Sequence, residues 1–337
     1  MENLHDIQHA IFDEIKHKLA TNVSFVHEIS ELLELSYDSA YRRIRGEKML
    51  NLEELFKICS HFEISLDTLF GIKGNKVVFE GMFVEPEKIS IKDWLKRIHA
   101  DIKKIAEVQG TQIIYSAKDI PFFHFFQVPE IAAFKVFFWQ KTLFRFPEYS
   151  EKKFSIKEYD PEIRKLGREV LLTSIKIPTT EIWNEDTFAI FLRQIEFYWV
   201  SGLFENPDEV MILCDKLEQW LRHLQSQAEH GYKYVFGQEP HGVEDSFRLY
   251  ENEVVLNDNT ILANLKGRKT IYLTYNVVSL LVSDDQAFAE SIEKYLRGLT
   301  RKSIQISSSA AKERDRFFNR LIHQIELFRL KVHGGLK

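Results

Sequence analysis

The sequence predicts two unlike domains: a small, mainly α N-terminal domain of five short helices over residues 1–74, and a larger α+β domain with an antiparallel meander over residues 75–337. Three observations carry this. Up to Phe70, apolar residues recur at helical spacing in short runs, each preceded by a capping residue or closed by a glycine. Gly71 and Gly74 then punctuate the chain and open a linker near residues 71–90. Between Tyr232 and Tyr275 the period shortens to that of strands, with turn residues at Asn257-Asp258-Asn259 and Lys266-Gly267-Arg268.

In the first domain, Leu4, Ile7, Ile11, Ile15 and Leu19 mark one face of a first helix. Ser24 caps a second, with Ile29, Leu32 and Leu33 inward. A short turn through Glu34 and Leu35 leads to a third helix, started by Ser36 and ended by Gly46, a residue that enters the left-handed conformation at little cost. Its Tyr37, Asp38, Ser39, Tyr41, Arg42 and Arg45 face outward, while Ala40 and Ile44 form a narrow apolar stripe. Such a helix has the size and polarity to enter a DNA major groove. Asn51 caps a fourth, with Glu54 completing a capping box and Leu52, Leu55, Phe56, Cys59 and Phe62 inward. Ser65 begins a fifth, Leu66–Phe70.

The stretch Ser24–Gly71 resembles the XRE-type (Cro/C1-like) helix-turn-helix domain. The matching residues are Ile29, Ser30 and Leu33 of the positioning helix, Leu35-Ser36 of the turn, the recognition helix ending at Arg45-Gly46, and the distal runs Leu52–Ile58 and Ile64–Phe70. Three positions depart from the pattern: Glu34 stands where glycine is common in the turn, Val26 where glutamine is common, and Arg43 where an apolar residue is usual. The resemblance implies a bacterial transcriptional regulator whose partner is double-stranded DNA. The candidate DNA-binding residues are then Ser36, Tyr37, Asp38, Ser39, Tyr41, Arg42, Arg43, Arg45 and Lys48. Those at the helix start meet base edges and those at its far end hold the backbone.

Charge limits that reading. Residues 1–75 hold eight Lys and Arg against thirteen Asp and Glu, a net charge of −5, whereas DNA-binding modules are normally basic. The cations are concentrated at Arg42, Arg43, Arg45 and Lys48, so acids such as Glu28, Glu31, Glu53 and Glu54 must point elsewhere. One copy should bind weakly and salt-sensitively, which makes a homodimer the expected working form.

In the second domain, Ser90 caps a helix with Ile91, Leu95, Ile98, Ile102 and Ile105 on one face, either a connector or a helix that pairs with its symmetry mate. Gln112–Tyr115 reads as a strand. Between Ile120 and Phe146 lie nine phenylalanines and Trp139. This is either core or an aromatic-walled effector pocket, whose candidate residues are Phe122, His124, Phe126, Gln127 and Trp139. Helical patterns follow over 160–171, 186–204 and 208–227, then strands over 232–236, 246–250, 253–256, 261–265 and 270–275, then helices over 285–299 and 310–332.

No phosphate-binding loop, dinucleotide fingerprint, nucleophile elbow or HExxH motif occurs. The expectation is therefore no enzyme, no cofactor and no metal; the alternative is an enzyme of unknown reaction fused to a DNA-binding or oligomerising module. Glu239, His241, Glu244 and Asp245 in one loop, and Ser307–Ser309 before Lys312, Arg314 and Arg316, read as solvated polarity and helix capping before they read as metal or anion sites. Cys59 and Cys214 match no metal or redox spacing and read as buried thiols. With no signal peptide and no unbroken apolar span, a cytoplasmic location and no membrane partner are expected.

Overall fold

A computed structural model describes residues 4–18, 24–62, 64, 77–83, 89–254, 258–276 and 279–335. The chain divides into two compact units, Met1–Val78 and Phe79–Lys337. In the first, α1 (Leu4–Lys18), α2 (Phe25–Leu32), α3 (Tyr37–Ile44) and α4 (Leu52–His61) enclose a small core of Ile11, Phe12, Ile15, Ile29, Leu33, Ala40, Ile58 and Cys59. The expected fifth helix, Leu66–Phe70, lies outside the described residues, as do Gly71, Gly74 and much of the linker.

The fourth helix corrects one expectation. Leu52 and Phe56 are 84% and 70% exposed rather than inward. The buried face of α4 runs through Leu55, Ile58, Cys59 and Phe62. Phe56 sits one residue, a 100° step, off that face, and Leu52 opens the helix clear of the core.

The second unit is built on an eight-stranded sheet of order β1-β7-β6-β5-β2-β3-β4-β8. The strands are β1 (Glu80–Met82), β2 (Gln112–Ser116), β3 (Thr179–Trp183), β4 (Phe247–Glu251), β5 (Thr260–Leu265), β6 (Arg268–Asn276), β7 (Ser279–Ser283) and β8 (Ile304–Gln305). β5 and β6 are expected strands of an antiparallel meander that the unforeseen β7 completes, but β2, β3 and β4 run parallel, so the sheet is mixed rather than an antiparallel meander alone. The cause is a strand the pattern did not reveal: β3 follows Pro178 and pairs with β2 and β4, each some 65 residues away, through helical crossovers.

Helices α5 (Ile91–Glu107), α6 (Pro129–Phe138), α7 (Pro161–Ser174), α8 (Glu185–Val200), α9 (Glu209–His230), α10 (Gln286–Arg301) and α11 (Ala311–His333) complete the unit. Tyr232–Phe236 is not a strand. The Tyr234 carbonyl instead accepts from the side chains of Gln127 and Gln227, and the Phe236 N–H donates to Gln127, so side chains take the place of a sheet partner. After β4 the chain leaves the sheet: Glu253 and Val254 form no strand, and the rest of the expected strand 253–256 lies outside the described residues. No described helix is long and apolar enough to cross a membrane. Both cysteines are buried free thiols.

Candidate nucleic-acid interface

The position of α3 is fixed by contacts that leave most of its outward side chains unused. At its start, Ser36 Oγ accepts from the Ser39 N–H at 3.3 Å and donates to Ser39 Oγ at 2.9 Å. The turn before it forces Glu34 to φ +54°, the left-handed conformation that glycine adopts without strain. At its end Gly46 has φ +75°, and the N–H groups of Gly46 and Glu47 return to the carbonyls of Arg43 and Arg42 at 3.0 and 2.9 Å. Gln8 of α1, itself buried, then locks this end. Its amide donates to the carbonyls of Arg43 (2.7 Å) and Lys48 (2.9 Å), and its oxygen accepts from the Leu50 N–H (2.9 Å).

Arg43 is removed from the candidate interface by the same geometry. It is only 4% exposed. Its Nε and Nη2 hold the two oxygens of Glu54 at 3.0 and 2.6 Å, and Nη1 donates to the Ser39 carbonyl at 3.1 Å. Glu54 also accepts from the Asn51 N–H, while its own N–H donates to Asn51, which completes the capping box. Burial raises the Glu54 pKa, but the bonds from Arg43 and Asn51 outweigh it and hold the carboxyl below the usual carboxylate range. This is a bidentate clamp between α3 and α4, so the polar residue at a position that is usually apolar is a core residue after all.

What α3 shows to solvent is Tyr37, 60% exposed, with Asp38, Tyr41, Arg42 and Arg45 also exposed. Arg45 Nη2 donates to the Tyr41 hydroxyl at 2.9 Å, and its guanidinium lies 4.5 Å from that ring's centroid. Lys48 is exposed beyond the helix end. Three acids elsewhere in this unit have their own partners: Glu28 faces His61 at 3.4 Å, Glu31 faces His27 at 3.7 Å, and Glu53 meets Lys57 at 3.2 Å. Glu47, by contrast, stands 3.7 Å from Arg42 and 3.9 Å from Arg45 and competes with any anion for both.

The candidate effector residues have a different setting. Phe126 and Trp139 belong to the main core of the second unit, and Phe122 packs against it half-buried. His124 is buried, its Nε2 3.0 and 3.1 Å from the Glu181 oxygens. Glu181 also accepts from the Trp183 indole N–H at 3.0 Å. Gln127 spends its amide on the backbone of Tyr234 and Phe236. Two further buried cations, which no sequence pattern marks, lie here. Lys233 donates to the carbonyls of Ser174 and Ile177 at 3.0 and 3.1 Å, and burial pulls its pKa down to about 8. Lys135 donates to Asp119 (3.2 Å) and Gln194 (3.0 Å), over the rings of Phe125 and Phe191. Their polar atoms are satisfied inside the protein, so the aromatic segment is mainly core, with Phe122 half-buried and an edge of Phe126 reaching a surface groove. Ser307, one of the serines considered for an anion, is likewise buried and accepts from the Leu249 N–H at 3.2 Å.

Comparison of the whole chain with curated proteins and with solved structures finds no match. Among protein-family models, residues 13–108 match the BetR domain, a helix-turn-helix-like DNA-binding domain family. The match takes in α2, α3 and α4 whole and runs on through β1 and α5. It makes residues 13–108 similar to the DNA-binding part of a regulator.

Proposed function

We propose that this protein is a sequence-specific DNA-binding transcriptional regulator of XRE-like type, cytoplasmic and not an enzyme. Its α3 enters the major groove, and its second unit pairs two copies and senses an effector. The observation that supports this best is the division of labour on α3. Arg43 and Ala40 serve the core, while Tyr37, Asp38, Tyr41, Arg42 and Arg45 face solvent from a helix whose two ends are locked. A rigid helix with a free polar front can hold side chains in register with base edges. In this reading Tyr37, Asp38 and Ser39 lie nearest the bases, Arg42 reaches base or phosphate, and Arg45 and Lys48 hold the backbone.

Two copies belong to the reading because one unit of net negative charge offers few phosphate contacts. Doubling them on a two-fold site multiplies affinity. The packed helices α8 and α11 carry exposed Phe197, Val200, Leu327 and Leu330, an apolar face of the kind that pairs subunits. The mechanism would be a change in the spacing of the two recognition helices when the second unit binds its effector. Selecting bound sites from random duplex DNA with the purified full chain tests the reading. Paired half-sites about one helical turn apart, or a multiple of it, are expected; recovery of no enriched sequence at low salt would refute it.

A further inference from the structure

An open groove enclosing about 380 Å³ runs along α7 in the second unit, lined by Arg164, Lys165 and Arg168 together with Tyr159, Pro161 and the buried ring of Phe126. Among the described residues, none of the three cations forms an ion pair. Neighbouring acids are already engaged: Lys92 holds Asp160 at 3.0 Å and Glu162 at 2.7 Å, and Lys216 faces Glu130 at 3.5 Å. No acidic side chain lines the groove. Three unpaired positive charges on one wall, with none of opposite sign facing them, create a standing attraction for an anion.

The apolar side of the groove is built as deliberately. Gly167 lies inside α7, where glycine costs about 1 kcal/mol relative to alanine. A Cβ at that position would fall 2.3 Å from the Phe126 ring. The glycine therefore seats the ring against the helix backbone between Arg164 and Arg168. Only an edge of the ring borders the groove beside the guanidinium and ammonium groups, and burial keeps the nearby Tyr159 hydroxyl protonated as a donor.

We propose that this groove binds a small organic anion: a phosphate or carboxylate head held by Arg164, Lys165 and Arg168, with a flat apolar body against Tyr159, Pro161 and the exposed edge of Phe126. A concave site with an apolar side suits a small molecule better than a duplex backbone, which would need a flat or convex basic face. The inference gives the proposed effector role a place, but it does not rest on the DNA-binding reading. Its first test contains no DNA.

The test is calorimetric titration of the full chain with phenyl phosphate and with benzoate, alongside inorganic phosphate. Saturable binding of at least one aromatic probe is expected, and which one binds identifies the head group. Arg164→Gln with Arg168→Gln, both on the solvent side, should weaken that binding at least about tenfold. Gly167→Ala, which pushes on the ring, should weaken the aromatic probe and leave inorganic phosphate unchanged; if that variant does not fold, the double glutamine variant decides. The proposal is overturned if neither aromatic probe binds at millimolar concentration, or if the double variant binds as well as wild type. It is equally overturned if the double variant loses only affinity for duplex DNA, which would make the groove a nucleic-acid surface.

Discussion

Two cation–aromatic contacts of the same length do opposite things in the two units. Arg45 lies 4.5 Å from the Tyr41 ring centroid, and Lys135 lies 4.5 Å from that of Phe125. The first pair is exposed on α3, with a guanidinium free to exchange its partner for a phosphate or a base. The second is sealed, its ammonium committed to Asp119 and Gln194. A cation beside an aromatic ring is thus not in itself a site. Solvent access and the number of donors already satisfied decide whether the group recognises a ligand or holds the fold together.

The comparison breaks most visibly by removing charges on each side of it. In the second unit, Glu181→Ala leaves His124 and the Trp183 indole without their shared acceptor, and Lys233 without the negative charge that offsets its burial. It should cost about 3–5 kcal/mol, read in denaturant unfolding. In the first unit, Arg43→Ala leaves the half-buried Glu54 without its clamp and should cost less, up to about 3 kcal/mol. DNA binding should then fall only as the unit unfolds. Glu54 gives this clamp a pH signature. Its folded pKa lies below the unfolded one, so the unfolded chain takes up the proton first. The stabilisation is complete above the usual carboxylate range and lost as pH falls through the folded value. Acid unfolding of the first unit should shift when Glu54 is changed to Gln, as followed by circular dichroism.

Smaller changes sharpen the same contrast. Glu34→Gly should stabilise the first unit by up to about 1 kcal/mol in thermal unfolding, because the residue already has φ +54°. Glu47→Gln releases Arg42 and Arg45 from a weak, exposed pair worth about 0–1 kcal/mol. It should raise DNA affinity by no more than about fivefold while leaving the melting temperature in place.

Much of the local structure was legible because it is written locally. Ser36, Asn51 and Ser90 cap their helices within three residues of sequence, and the helical pattern over 208–227 falls on α9. What was hidden depends on partners far along the chain. Arg43 reads as a cation of the interface until Glu54, eleven residues on, is seen to claim it. β3 is five residues long and takes both its partners from distant strands. The aromatic segment looked able to form a pocket because nothing in its spacing shows that Glu181, Gln194 and Tyr234 will satisfy its polar groups. The groove on α7 went unseen for a related reason: Arg164, Lys165 and Arg168 look like an ordinary solvated face until Phe126 and Tyr159 close around them.

The most direct test of α3 is a fluorescence-anisotropy titration of the selected duplex with wild type and with the Arg42→Ala, Arg45→Ala double variant, with both proteins shown to unfold at the same temperature. Affinity should fall by about 10- to 100-fold, and the salt dependence should flatten as phosphate contacts are lost. Equal binding by the two proteins at every salt concentration would contradict the assignment of α3 to the groove.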